Sequence, residues 1–262
     1  MKCPKITIIT VSYNQANYLE KTILSVINQN YPNLEYIVID GASTDGSVEI
    51  IKKYEDRISY WISEKDAGQS EALNKGLRLA NGDIVGWLNS DDIYYPNTLK
   101  TVARYFSTSP LPEVIAGHAQ FIDREGKPIK DTYKAEDKTF DELTRFWVSW
   151  PLPQPSVFFR RSVIEDIGYI NEEMHYAMDL DYFLRMRKTR ELQIVDEILS
   201  GYRLHEQSKT GDWHSQRYLF WREARKIAKK YWGKPWEPRY WARRFTSALE
   251  LWRAKKDYER TV

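Results

Sequence analysis

Ile84-Val85-Gly86-Trp87-Leu88-Asn89-Ser90-Asp91-Asp92-Ile93-Tyr94-Tyr95-Pro96 is an apolar run that ends in two adjacent carboxylates, with a proline four residues past the second. A short apolar run bounded by polar residues reads as a buried strand. Asp91 and Asp92 therefore sit where that strand leaves the core. Open α/β sheets bind their ligands at such strand ends. Carboxylates there must be solvated, paired with cations or holding a metal, because burying them bare is too costly. Two hard oxygen ligands suit Mg²⁺ or Mn²⁺, which keep waters and substrate phosphates as their other ligands. The plain alternative is a helix cap or a solvated turn.

Outward from this stretch, the first hundred residues alternate strand and helix. Lys5–Val11 is a β-branched run and reads as a buried strand. Ala16–Asn30 carries Leu19, Ile23, Val26 and Ile27 on one helical face. Leu34–Asp40 is the next strand, and Gly41–Gly46 is a turn into a helix over Ser47–Tyr54, with Asp45 placed to cap it. Ile58–Ile62 is a short strand, and Ser70–Ala80 a helix stopped by Asn81-Gly82. This order with short connections predicts an α/β fold around a mostly parallel sheet flanked by helices.

After Pro96 the pattern loosens. Strands are expected at Val114–Phe121, Ser156–Arg160 and Leu192–Val195, and helices at Thr139–Trp147 and Asp179–Lys188. Asp123–Gly126 reads as a hairpin turn. Trp150–Pro155 holds three prolines, which remove donors and restrict their neighbours. Such a loop either walls a pocket or crosses the surface.

With 262 residues, of which 42% are hydrophobic and 29% charged, the composition is that of a globular protein with a sizeable core. The single cysteine, Cys3, rules out an internal disulfide or a cysteine-rich zinc site. No run of 18 apolar residues spans a membrane, and Ile6–Val11 is too short for a signal peptide's apolar region. A cytoplasmic protein, soluble or peripheral at the inner face of a membrane, is expected.

Asp40, Asp66 and the Asp91/Asp92 pair each follow a predicted parallel strand, so they converge on one sheet edge. Neither Gly-x-Gly-x-x-Gly nor Gly-x4-Gly-Lys-Ser/Thr is present to cradle phosphates. A phosphorylated ligand would be neutralised by the metal and by side chains instead.

Several stretches together resemble glycosyltransferase family 2, the inverting nucleotide-sugar transferases of the GT-A fold. They are Thr10-Val11-Ser12-Tyr13-Asn14, Tyr31-Pro32 through Asp45-Gly46, and Glu64-Lys65-Asp66-x-Gly68 with Ala72-x-Asn74-x-Gly76. Leu88-Asn89-Ser90-Asp91-Asp92, Gln154-Pro155-Ser156 through Arg161, and Tyr176-Ala177-Met178-Asp179-Leu180-Asp181 continue the series in the family's order. The resemblance implies that Asp40 reads the donor base, with Thr10, Ser12, Asp66 and Asn74 around it. It implies that Asp91 ligates Mn²⁺ or Mg²⁺ at the diphosphate and that Asp92 supports the ion or the ribose. Asn89 stands where the family's Asp-x-Asp motif begins with aspartate, a departure that bears on metal affinity. Asp179 falls at the position of the catalytic base, and would cap its helix as well. Asp181 is assigned to the helix surface or to orienting its neighbour. His205 is a candidate metal ligand, and Arg203 a candidate for the phosphates. The expected activity is transfer of one sugar, from a UDP- or dTDP-sugar, to a saccharide or lipid-linked acceptor in surface polysaccharide synthesis. No Gln-x-x-Arg-Trp motif of processive relatives is present. A sugar nucleotidyltransferase and a non-catalytic carbohydrate- or membrane-binding protein on the same scaffold are the alternatives.

Residues 1–212 are read as the transferase domain, with a nucleotide-binding half to residue 100 and an acceptor half beyond it. Residues 213–262 form a basic, tryptophan-rich extension. They hold fourteen Lys or Arg against five Asp or Glu, while the first 212 residues hold 25 against 32. Two amphipathic helices, Tyr218–Trp232 and Arg239–Trp252, are expected there. They either pack on the catalytic domain, form a homodimer interface or lie on an anionic membrane. No motif supports nucleic-acid binding.

Overall fold

The computed structural model describes residues 3–147, 151–206, 208 and 213–259, with the backbone alone for 213–216. Trp150, at the head of the proline loop, lies outside the described residues.

The first half follows the predicted alternation: β1 (Ile6–Ser12), α1 (Ala16–Ile27), β2 (Leu34–Asp40), α2 (Ser47–Lys53), β3 (Tyr60–Ser63), α3 (Gln69–Leu79) and β4 (Ile84–Trp87). Then come β5 (Ile93–Tyr94), α4 (Thr98–Phe106), β6 (Val114–Ile122), β7 (Pro128–Tyr133), α5 (Phe140–Leu143), β8 (Val157–Arg160) and α6 (Arg161–Ile167). The chain closes with α7 (Met178–Thr189), β9 (Leu192–Arg203), α8 (Trp213–Lys229) and α9 (Pro238–Glu259).

Among the described residues, nine strands form one sheet in the order β3-β2-β1-β4-β8-β6-β9-β5, with β7 paired to β6. The β3, β2, β1 and β4 strands are parallel. Beyond them β8 runs antiparallel to both β4 and β6, while β9 is parallel to β6. The sheet is thus mixed: β6 and β9 share the direction of the first four strands, while β5, β7 and β8 oppose it. A strand buried on both faces is a continuous apolar run whichever way it points, so its direction is not written in its composition.

Packing covers both faces. One holds Ile6, Ile8, Leu19, Ile23, Leu99 and Val102, under α1 and α4. The other holds Ile9, Val11, Trp87, Phe159, Tyr182 and Phe183, under α3 and α7. Trp221, Ala224, Ile227, Ala228 and Trp232 belong to this second core. The first C-terminal helix is therefore built into the same core as β8 and α7, and no break in the core falls at residue 213. Helix α9 packs outside α8.

Several local expectations change. The helix predicted to reach Trp147 is only the turn Phe140–Leu143, started by a Thr139/Glu142 capping box. Phe146 and Trp147 leave it to pack edge-on against Trp221 and Trp232. The described proline loop, from Pro151 to Pro155, is buried rather than a surface crossover.

Asp45 does not occupy the cap position of α2, which is Gly46. Its Oδ1 accepts from the Ser47 amide and hydroxyl, and its Oδ2 from the Ala16 amide that opens α1. Burial pushes the Asp45 carboxyl up, but these donors outweigh it and hold the group below its ordinary value. The loss expected for Asp45→Ala is about 1 kcal/mol at neutral pH, as for a lost helix cap, since the site is exposed and screened. A lowered pKa adds stability above the unfolded value that vanishes as pH falls through the folded one. Denaturant midpoints of parent and variant should therefore converge in acid below the ordinary carboxylate range.

Candidate active site at the carboxyl ends of the strands

The parallel register sets Ser12, Asp40 and Ser63 side by side at the ends of β1, β2 and β3. Asp40 is fully buried. Its Oδ2 accepts from the Ser43 amide (2.9 Å) and the Ser63 hydroxyl (2.6 Å), and its Oδ1 from the Ser43 hydroxyl (2.6 Å). Three of its roughly four acceptor positions are committed. Asp40 thus shapes the turn after β2 and is a floor of the crevice rather than an open reader of a base. Thr10 is also fully buried, accepting from the Tyr36 hydroxyl at 3.1 Å, and does not reach the crevice.

Asp66 lies over that turn instead. A Cβ added at Gly41 would meet Asp66 Oδ2 at 2.8 Å and Tyr13 Cδ2 at 3.3 Å, so glycine is what lets both approach the backbone. Burial raises the Asp66 carboxyl, against the opposing Gly68 amide and Lys75. Tyr13 is 64% exposed at the crevice mouth, while the buried Ser12 hydroxyl has no hydrogen-bond partner. Tyr13 lies within the Thr10–Asn14 stretch that carries the resemblance, but was given no role from sequence. Its only signal was an aromatic immediately after a strand end.

Asn74 is not in the crevice either. Its amide donates to the Ile170 carbonyl and to Glu172, and its carbonyl accepts from the Ile170 amide. It fastens the loop after α6 to α3.

At the end of β4 the two aspartates divide. Asp91 Oδ2 lies 3.0 Å from Nε2 of His205, whose ring is buried under Tyr18 at 4.4 Å between centroids. Asp92 turns inward and accepts from the Arg203 amide at 2.8 Å. Burial, then the Asp91 charge, push its carboxyl well above the usual range. It is a clamp on the end of β9, not a ribose ligand. Arg203 is buried and mostly committed: Nε donates to the Asp91 carbonyl and Nη1 to the carbonyls of Asp123 and Arg124, while Nη2 is buried with no hydrogen-bond partner. Asp92 and Arg203 lock the two loops together, and so hold His205 against Asp91.

Among the described residues no three His, Cys, Asp or Glu side chains gather as a ready-made metal cage. The Asp91–His205 pair nevertheless fits a divalent ion. Its 3.0 Å separation matches the cis edge of an octahedron with bonds of about 2.1 Å, leaving other positions for phosphates and water. Asn89 is not available as a third ligand. Its carbonyl accepts from Gln69, and its amide donates to Gln154, which donates to the Trp87 carbonyl. This amide chain joins α3, β4 and the proline loop.

Asp179 is the second residue of α7, whose cap is Ala177, so it does not cap that helix. Its Oδ1 accepts from the Leu180 amide at 2.8 Å, and its charge helps burial raise the Tyr133 hydroxyl on β7. The loop before it lies at the crevice edge: Ser70 donates to the Met174 carbonyl at 2.7 Å, and the His175 ring faces Gly68. Glu223 of α8 accepts from the amides of His175, Tyr176 and Ala177 at 3.1, 2.8 and 3.0 Å. This brace was missed from sequence, although Glu223 is the lone acid between Trp213 and Trp236. Asp181 is buried and paired with Arg185 at 2.9 Å, not on the helix surface.

Residues 7–168 match the family described as Glycosyl transferase family 2. An uncharacterized glycosyltransferase of Rickettsia typhi is 29% identical over 217 residues, covering 79% of this chain and 66% of its own. A Bacillus subtilis protein named for teichuronic acid biosynthesis is 32% identical over 146 residues, covering 54% and 58%. The chain spans 66% of the Rickettsia typhi relative and only 35% of one from Rickettsia felis. The fold is that of S. aureus TarS 1–349 in complex with UDP-GlcNAc (TM-score 0.67, 20% identity, 87% of this chain and 67% of that one). It is equally that of a Pyrobaculum calidifontis mannosyltransferase with GDP-Man and Mn²⁺ (TM-score 0.67, 18% identity, 98% and 74%). A match over well more than half of the chain, on the residues that build the crevice, makes this protein a member of glycosyltransferase family 2.

Proposed function

We propose that the chain is an inverting, metal-dependent glycosyltransferase that moves one sugar from a nucleotide-sugar donor to a saccharide or lipid-linked acceptor in surface polysaccharide synthesis. The observation that carries this reading is the Asp91–His205 pair, clamped by Asp92 and Arg203 beside the Ser12–Gly41–Asp66 crevice. Tyr13 offers a face for the base, Asp66 a carboxylate for its N–H groups, and Ser12 a hydroxyl at the floor. Asp91 and His205 would hold Mn²⁺ or Mg²⁺. When bound, that ion supplies Lewis-acid stabilisation of the departing nucleoside diphosphate. Asp179 takes the proton of the acceptor hydroxyl as that oxygen bonds to the donor's anomeric carbon. The bond to the diphosphate breaks on the opposite side, which inverts the configuration.

The structural neighbours bind UDP-GlcNAc and GDP-Man, and a relative is named for teichuronic acid biosynthesis. A UDP- or dTDP-sugar is the donor class we favour. Calorimetry with UDP, dTDP, GDP and CMP, with and without Mn²⁺, tests it. One nucleotide should bind tightly and only with metal. Asp91→Ala should weaken that binding in Mn²⁺ by at least the roughly 10–100-fold that losing even an outer partner costs a metal site. Without metal, parent and variant should bind alike. No metal-dependent binding of any nucleotide would sink the reading. Asn89, spent on Gln69 and Gln154, favours a second reading, a nucleotide-binding protein without turnover. Tight binding with no donor consumption would select it.

A further inference from the structure

We propose that the outer face of α9 is a docking surface for an anionic phospholipid bilayer. Among the described residues twelve large apolar side chains are exposed, and five fall between Trp236 and Trp252. Trp241 (55%), Phe245 (73%), Leu249 (37%) and Trp252 (53%) follow at intervals of four, four and three, with Trp236 (75%) on the preceding turn. At 3.6 residues per turn, those four make one stripe roughly 80° wide. The other seven exposed apolar residues are spread along the chain from Tyr13 to Ile198 and form no such series.

The opposite side of α9 is already occupied. Ser247 and Ala254 are buried, Arg225 of α8 donates to the Ser247 hydroxyl, and Arg243 forks onto Asp141. The aromatic stripe therefore cannot turn inward and is presented outward by a fixed helix.

Its flanks are cationic. Helical spacing puts Arg244 and Lys255 on one side of the stripe and Arg253 on the other, with Lys256 in line with the stripe one turn beyond Trp252. The Lys256 ammonium lies 3.9 Å over the Trp252 ring, and the Arg244 guanidinium 5.5 Å from that of Trp241. Aromatic rings in the middle with long basic side chains at the rim is the distribution that an interfacial helix needs: rings at the acyl boundary, cations among the headgroups.

Charge separates a bilayer from a second copy of the chain. Residues 213–262 carry fourteen basic groups against five acidic, and the remainder is net acidic. An anionic surface attracts that end and repels the other, which orients the molecule. Two copies joined through α9 would instead bring like-charged rims together.

The test is sedimentation of the full chain with vesicles of phosphatidylcholine alone and of phosphatidylcholine with a quarter phosphatidylglycerol. Partition into the anionic vesicles should be roughly tenfold or more higher, and should fall with added salt. The triple variant Trp241→Ser/Phe245→Ser/Trp252→Ser and the charge variant Lys255→Glu/Lys256→Glu should each lose it. Both should keep the parental melting temperature and nucleotide binding, since these side chains are exposed and touch no crevice residue. No partition into anionic vesicles, equal partition into both kinds, or partition that survives the triple variant would each overturn the proposal. Light scattering that finds a dimer which Phe245→Ser dissociates would assign the face to a second copy and overturn it too. None of these readouts depends on sugar transfer.

Discussion

Asp179→Asn is expected to bind the nucleotide with parental affinity and to consume donor at least a hundredfold more slowly. General-base assistance is worth about 10²–10⁴ in rate, and an amide cannot take the acceptor's proton. The substitution is otherwise mild. Asn Oδ1 can still accept from the Leu180 amide that Asp179 Oδ1 holds at 2.8 Å. The groups proposed to hold the donor, Ser12, Tyr13, Asp66, Asp91 and His205, come from β1, the loops after β3 and β4, and the segment after β9. Calorimetry should therefore return the parental dissociation constant, while nucleoside diphosphate release in the presence of acceptor falls. Release at near-parental rates would remove Asp179 as the base. A rate lost together with nucleotide affinity would point instead to a displaced α7, which a melting curve would reveal.

The amino-acid sequence displays some parts of this site and hides others, for physical reasons. Buried strands followed by carboxylates are local patterns, so β1, β2, β4 and the sheet edge bearing Asp40, Asp66 and Asp91 were legible. Which way a carboxylate points is decided by partners far along the chain. Asp91 and Asp92 are adjacent and chemically identical. One faces His205 and the other the Arg203 amide, across 111 to 114 positions of sequence. Asn74 and Asp40 carry the right chemistry for a ligand, but Ile170 from a distant loop uses up the hydrogen bonds of Asn74, while Ser43 in the adjoining turn and Ser63 at the end of β3 use up those of Asp40. Strand direction beyond β4 was equally invisible. The basic tail was legible as a compositional shift. That it splits into a buried α8 and an outward α9 was not, because both helices are amphipathic and only packing assigns the faces.

Glu223→Ala should have the largest effect on stability of any single substitution outside the apolar core, and its cause lies in that splitting. The carboxylate is buried on α8 and is the shared acceptor for three successive amides at the entry to α7. Hydrogen bonds to an ionised group are stronger than neutral ones. The buried Ala177 amide costs about 1–3 kcal/mol when it loses its acceptor, and the part-buried His175 and Tyr176 amides add less each. Part of that returns as water enters the space left behind, so a net loss of about 3 kcal/mol is expected. For a chain of this size that lowers the melting temperature by roughly 6–12 °C. Glu223→Gln keeps one acceptor oxygen without the charge, and should recover about half of the loss. The function should respond in a distinctive way. The brace sets the segment that carries Asp179, whereas Ser12, Asp66 and Asp91 follow the parallel strands. Nucleotide binding should survive below the lowered melting temperature, while donor consumption falls by an order of magnitude or more, as misplacement of a catalytic group by about 1 Å predicts. A Glu223→Ala protein that melts within about 1 kcal/mol of the parent and turns over normally would show that α8 merely covers the core. The opposite result would make the C-terminal helices part of the catalytic apparatus, with α8 aligning the base from within while α9 faces outward.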